Sequence, residues 1–254
     1  MSFQRLDDLA GQVVVITGGT GGMGYATAKR LAEKGARIVG IVRRNVEESQ
    51  TKYNQLPNSQ LEHFVINAPI DDSAALAAAV LEIRTRCGRC DILVNTAGTT
   101  KSVPHPNLDM LTDELFDSIM QVNLRGVFAT IRAFAPLLKE SGNGLIVNIS
   151  SASGIRTGGS NIAYAASKAG MDSMTRNLAR ALAPAIRVVS IAPSAVDTNF
   201  LPNRSQDFLN NAAKLTPLGR IGEVDDIASA VEACATTLRF TTGNCFVIDG
   251  GRTA

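Results

Sequence analysis

The stretch "VVVITGGTGGMG", residues 13 to 24, decides how this chain folds. Its first five residues are apolar or β-branched with no polar alternation, which suits a strand covered on both faces. A glycine-rich run follows, and then "YATAKRLAEKGA" takes up helical period. Glycines 18, 22 and 24 are spaced G-x-x-x-G-x-G, one residue wider than the dinucleotide fingerprint G-x-G-x-x-G, and they can do the same physical work. Without side chains the backbone turns tightly and comes close to a diphosphate, while the free N–H groups and positive end of the following helix supply an anion site. A merely flexible turn is the plainer alternative, but the strand before and the amphipathic helix after meet the context a nucleotide loop requires. Gly18, Thr20, Gly22, Met23 and Gly24 are the expected contacts.

Outward from this loop the same alternation continues. Strands are predicted at 13–17, 37–42, 62–66, 91–95, 145–150, 186–192 and 245–249, and helices near 23–34, 73–86, 112–140, 161–183 and 223–236. Several strands are apolar on both faces, so the predicted class is α/β: a single-domain Rossmann fold, with a doubly wound, seven-stranded parallel sheet and helices on both faces. No repeat, low-complexity tract or Pro/Gly/Ser-rich linker divides the 254 residues. One long irregular stretch, 193–220, follows the sixth strand, where open α/β sheets bind ligands, and reads as a substrate loop.

Composition narrows the partners. Twenty-five basic and 23 acidic residues are mixed along the chain with no basic block, which argues against nucleic acid and anionic membrane as partners. The start "MSFQRLDDLAG" lacks the apolar stretch of a secretory leader, and no window approaches a membrane span, so a soluble cytoplasmic protein is expected. Cys87 and Cys90 have the spacing of half a zinc site or a redox pair. No second pair or histidine lies nearby, and the pair ends a helical run rather than opening one. Reduced, structurally incidental thiols and no metal are expected.

Cofactor choice should be written at the end of the second strand, where a carboxylate would hold an adenosine ribose diol. The chain reads "IVGIVRRN" there, with Val42 at that position and Arg43 and Arg44 after it. Guanidinium groups can grip a 2′-phosphate that a carboxylate would repel, so NADP is expected over NAD, which stays possible. Further along, "YAASK" places Tyr164 one helical turn before Lys168, so both polar tips can address one spot.

Taken together, the chain resembles the short-chain dehydrogenase/reductase family in its single-domain form, similar to 3-oxoacyl-acyl-carrier-protein reductases. Beside the glycine loop, the matching stretches are "NTAG" at 95–98, "VNL" at 122–124, "NISSASG" at 148–154, "YAASK", "APSAVDT" at 192–198 and "VIDGG" at 247–251. The resemblance covers nearly the whole chain. It implies that Tyr164 is the general acid or base at a carbonyl or alcohol oxygen, and that Lys168 holds the nicotinamide ribose and lowers the tyrosine pKa. It further implies that Ser151 donates to the substrate oxygen and that Asn123 supports a water linking Lys168 to solvent. Asn67, Asn95, Ala97, Gly98, Pro193, Val196 and Thr198 are implied cofactor contacts, with Tyr164 and Lys168 touching the cofactor as well. Ser151 stands thirteen residues before the tyrosine as the family pattern asks; strand alternation sends Ser150 to the opposite face, and Ser153 is the nearest substitute. His63 and His105, the only histidines, lie outside every motif.

Magnitudes show why the pair must be dry. Moving a phenol from near 10 to about 7 takes roughly 4 kcal/mol. An ammonium about 5 Å away supplies roughly 3 kcal/mol at an effective dielectric near 20, but under about 1 kcal/mol in bulk water. Some residues depart from the family pattern: Thr96 stands where a second asparagine is usual, Ser194 where glycine follows Pro193, and Asn67 where aspartate is commoner. For substrate, the helix ends "LKESGNG" and "ARALAPA" are short of the basic residues that would dock an acidic carrier protein. The expected substrate is therefore a small ketone or secondary alcohol held by Phe200, Leu201 and Phe208, with a carrier-bound 3-oxoacyl group as the alternative. A non-catalytic dinucleotide sensor is the remote one. The resemblance also implies a homotetramer paired through helices 112–140 and 161–183.

Overall fold

The strands pair only in parallel, in the order β3-β2-β1-β4-β5-β6-β7. They are β1 Val13–Thr17, β2 Arg37–Val42, β3 Phe64–Asn67, β4 Ile92–Asn95, β5 Gly144–Ile149, β6 Ile186–Pro193 and β7 Cys245–Ile248. Parallel neighbours need crossovers, and the helices supply them: α1 Gly22–Glu33, α2 Val46–Tyr53, α3 Ser73–Cys87, α4 Asp113–Met120, α5 Val127–Glu140, α6 Ile162–Leu182, α7 Gln206–Lys214 and α8 Val224–Thr236. The structure, a computed structural model, describes residues 6–156, 158–198, 200 and 206–254. No helix among them is long and apolar enough to cross a membrane.

Strand alternation divides the core in two. Val14 and Ile16 of β1 face one side, with Leu31 of α1 and Ile227 and Val231 of α8. Val13 and Val15 face the other, with Ile83 of α3, Phe134 and Leu137 of α5 and Met171 of α6. All five β1 residues are buried, as the unalternating sequence requires. The chain order reverses direction between β1 and β4, so a crevice opens beyond the carboxyl ends of these strands.

Two helices lie where no helix was expected. The eight-residue α2 is mostly polar and buries only Ser49 and Tyr53, too little for an amphipathic stripe to show. The predicted irregular stretch 193–220 contains α7. The long predicted helix 112–140 is α4 and α5 joined by a π-helical segment, Gln121–Gly126. Strand ends otherwise shift by two residues or fewer, with β3 starting at Phe64 rather than 62.

α2 matters for the crevice because its last residue, Tyr53, is fully buried under the glycine loop and donates to the Gly19 carbonyl at 3.2 Å. A β-carbon on Gly40 of β2 would lie 2.6 Å from Cζ of that ring. Gly40→Ala is therefore expected to destabilise the fold by roughly 1–3 kcal/mol, as overpacked cores do. Denaturant unfolding checks this, and Gly40→Ala with Tyr53→Leu should be non-additive in a double-mutant cycle.

Candidate active site

The site begins where β1 ends. Gly18, at φ +66°, turns the chain out of the sheet, and its N–H donates to the Ile41 carbonyl at 2.9 Å. Gly24 sits so close over this turn that any β-carbon would strike the Gly18 carbonyl and lie 2.8 Å from Thr96 Oγ1. Between them α1 starts at Gly22 after an extended Gly21, with no side chain capping its first turn and no acidic residue in it. Such a start leaves N–H donors for a diphosphate, so the residues fit the cofactor the loop implies. Thr198 closes over the loop from the far side: its Cγ2 would be 3.0 Å from a β-carbon on Gly22.

The residues expected to meet the adenosine lie at the tips of β2 and β3. Val42 is buried, Arg43 and Arg44 emerge exposed, and Val42 pairs in register with Asn67, itself exposed. Neither arginine has an ion-pair partner among the described residues. Asn95 behaves differently from a groove residue. It is buried in β4, and its amide donates to Asn148 Oδ1 at 2.9 Å; Asn148 in turn donates to Thr175 Oγ1 at 2.9 Å. Its side chain thus ties β4 and β5 to α6. Thr96 donates its hydroxyl to the Thr17 carbonyl, and the Ala97 N–H reaches Thr17 Oγ1 at 3.3 Å. Gly98 lies against the Asn123 side chain, which a β-carbon there would approach to 3.3 Å.

Across the crevice, α6 carries Tyr164 and Lys168 one turn apart. Asn161 caps this helix, accepting from the Tyr164 N–H at 2.7 Å and donating to the Lys101 carbonyl at 2.7 Å. Lys168 is buried, with Nζ 5.7 Å from the centroid of the Tyr164 ring and donating to the Ile149 carbonyl at 2.7 Å. Burial lowers its pKa to about 8, against an opposing pull from the Asp172 carboxylate one turn further on. Asp172, itself buried, accepts from Ser190 Oγ at 2.8 Å.

Ser151 follows β5 and is nearly buried, its Oγ receiving the Ser153 N–H and lying 3.2 Å from Ser153 Oγ. Ser150 donates to the Lys168 carbonyl at 3.3 Å. A cavity of about 360 Å³ lies beyond β5 and β6, and Ser151, Tyr164, Met23, Pro193, Val196 and Thr198 all line it. Lys168 and Asn123 are not among its lining residues. Asn123 is wholly buried in the π-helical segment, accepting from the Thr99 N–H at 2.8 Å and donating to the Thr99 carbonyl and Ser167 Oγ. Phe200 covers the tyrosine, with ring centroids 6.1 Å apart. Leu201 and the Phe208 side chain, also predicted to hold substrate, lie outside the described residues.

Asn148, Asn161 and Asp172 were not among the predicted residues. An asparagine three positions before Tyr164 is a helix-cap signal that could have revealed Asn161. Nothing in spacing marks Asn148 or Asp172, because their roles depend on cross-strand and strand–helix contact. His63, outside the site, bridges β2 to the preceding turn: Nδ1 accepts from the Ile38 N–H and Nε2 faces the Pro57 carbonyl at 2.8 Å. Burial lowers its pKa, in keeping with a neutral ring. The thiols of Cys87 and Cys90 are raised by burial, which is unlike a reactive pair.

A glycine-cradled helix start, a nearly buried serine and a tyrosine backed by a buried ammonium define a nucleotide-dependent oxidoreductase centre, and the chain belongs to the short-chain dehydrogenase family, whose model matches residues 12–208. Full-length relatives agree. The chain is 33% identical to the 3-oxoacyl-acyl-carrier-protein reductase of Thermotoga maritima, covering 96% of this chain and 98% of that one. It is 32% identical to levodione reductase of Leifsonia aquatica, over 96% and 94%. Among solved structures, the 3-ketoacyl-acyl-carrier-protein reductase of Brucella melitensis complexed with NADH superposes with a TM-score of 0.89 at 32% identity, covering 97% and 100% of the two chains. The protein is thus an enzyme acting between CH–OH and C=O groups with a nicotinamide cofactor.

Proposed function

We propose that this enzyme moves a hydride between NADP(H) and a ketone or secondary alcohol, with Ser151, Tyr164 and Lys168 as its catalytic residues and Asn123 supporting them. The observation that carries this reading is that Ser151 and Tyr164 line one cavity while the Lys168 ammonium is buried 5.7 Å from the tyrosine ring. The bound cofactor supplies or accepts the hydride. Ser151 holds the substrate oxygen by a hydrogen bond, Tyr164 gives that oxygen a proton in reduction or takes it in oxidation, and Lys168 stabilises the phenolate. Burial strengthens that last interaction several-fold over its value in water. Asn123 ties the backbone of Thr99 to Ser167 of α6, which suits a role in relaying protons behind the lysine.

NADP is favoured by Arg43 and Arg44, exposed at the end of β2 where a ribose-binding carboxylate would otherwise stand. A 3-oxoacyl thioester is the second reading of the substrate, favoured by the named activities of the Thermotoga and Brucella proteins. Homotetramer assembly and cytoplasmic residence belong to the same proposal; the exposed Phe116 on α4 and Phe128 on α5 support pairing through those helices.

The test follows NADPH consumption with a panel of ketones, acetoacetyl thioesters included. Turnover of small ketones supports the reading, and turnover confined to thioesters moves it to the second. NADPH binding without turnover of any carbonyl would leave a dinucleotide sensor.

A further inference from the structure

We infer that Arg156 and Arg252 form an anion-binding end of the substrate cavity, so that the carbonyl compound turned over here carries a carboxylate or a phosphate. This rests on the reductase reading above and adds the substrate's charge to it. Both arginines line the same cavity as Ser151 and Tyr164, and no Asp or Glu is among the described residues lining it. Its apolar and hydroxyl-bearing wall therefore holds two guanidinium groups and no counter-charge.

Neither arginine of the cavity has an ion pair among the described residues, a state they share with Arg43 and Arg44. Arg30, Arg37, Arg84, Arg86, Arg89 and Arg220 each meet a carboxylate within 4.0 Å. Arg252 instead donates to the Ala212 carbonyl of α7 at 2.8 Å, a neutral partner that uses one of its five N–H donors. Arg156 has no ion pair among the described residues and is an exposed member of the cavity lining. Two arginines lining one concave space with no carboxylate among the described lining residues favour an anion there, and their planar forks suit bidentate carboxylate or phosphate.

The cofactor's own phosphates are placed elsewhere. The diphosphate cradle lies after β1 and the arginines for a 2′-phosphate after β2, whereas Arg156 follows β5 and Arg252 follows β7. Arg156 stands two strand steps and Arg252 four from the cradle after β1, roughly 10 and 19 Å at about 4.8 Å per step. The anion they serve therefore belongs to the substrate half of the crevice. It can be a carboxylate on a small oxo-acid or the phosphate of a pantetheine-type carrier arm.

Two matched pairs separate these sources: 4-oxopentanoate against its methyl ester, and acetoacetyl-coenzyme A against acetoacetyl-N-acetylcysteamine. The native enzyme should prefer the charged member of one pair in kcat/KM by roughly tenfold or more, the scale of one charge-assisted hydrogen bond. Arg156→Gln and Arg252→Gln should each abolish that preference through KM for the charged member, leaving the neutral member and the KM for NADPH unchanged. Because Arg252 also ties the carboxyl-terminal tail to α7, Arg156→Gln is the cleaner variant, and the neutral substrate reports any general damage. Equal turnover of charged and neutral members in both pairs overturns the inference while leaving the reductase intact. So does a variant that slows both members alike. Should none of the four be reduced, calorimetry with 4-oxopentanoate and with coenzyme A on the NADPH complex decides: arginine-dependent binding of either defeats only the reductase reading, and binding of neither defeats both.

Discussion

Tyr164→Phe is expected to lower kcat by roughly a thousandfold, within the range that a positioned acid or base contributes, while leaving the affinity for NADPH within about twofold. The ring can stay where it is, packed against Phe200, so the substitution removes one oxygen and little else. A fall of less than about tenfold would place the proton donor elsewhere in the cavity, with Ser151 or Ser153 as the next group to examine. Lys168 gives the same chemistry a pH signature. Its burial favours the neutral amine, bringing its pKa down from the ordinary lysine value to about 8, so the ammonium is present below that pH and lost above it. In the proposed mechanism reduction uses both this charge and the tyrosine proton, so kcat/KM for a ketone should fall as pH rises through about 8. Asp172 pulls the lysine pKa upward, so Asp172→Asn should move this alkaline limb to lower pH. A limb that stays in place would show that Lys168 does not set it.

That signature could not be read from the residues in order, and the contrast shows what a sequence carries. β1 to β7 were legible because each is a short apolar run bounded by turn residues, and Tyr164 with Lys168 because helical spacing alone puts them together. α2 escaped because a short polar helix anchored by one buried tyrosine has no apolar stripe, and α7 because it sits inside a segment whose ends look like loop. Asn95 shows the opposite difficulty. Its motif points to the cofactor, and its amide nitrogen donates across to β5 while its buried Oδ1 has no hydrogen-bond partner among the described residues, an arrangement that only the fold, by bringing Asn148 to the next strand, decides. Asn123 was singled out by its motif, but the π-helical widening that lets its side chain clamp Thr99 depends on packing against α6.

Replacing Arg43 and Arg44 together by alanine is expected to raise the KM for NADPH by roughly ten- to a hundredfold and to leave that for NADH nearly unchanged. Losing charge-assisted hydrogen bonds to a 2′-phosphate costs about 1.5–3 kcal/mol, reduced toward the lower figure because both side chains are solvent-exposed. The reverse change, Val42→Asp with Arg43→Ala, should turn preference toward NAD, since a carboxylate at the tip of β2 accepts both hydroxyls of an unphosphorylated ribose and repels the phosphate. Val42 is only 4% exposed, so an aspartate there must bend its carboxylate out of the core or lose hydration, and the variant should also melt at a lower temperature. Occupancy by NADH should restore part of that loss, because binding to the folded state alone stabilises it by mass action, whereas NADPH should restore less. A ratio of NADPH to NADH efficiency that did not move in either variant would mean that the two arginines serve the surface and that the 2′ position is read by another part of the crevice.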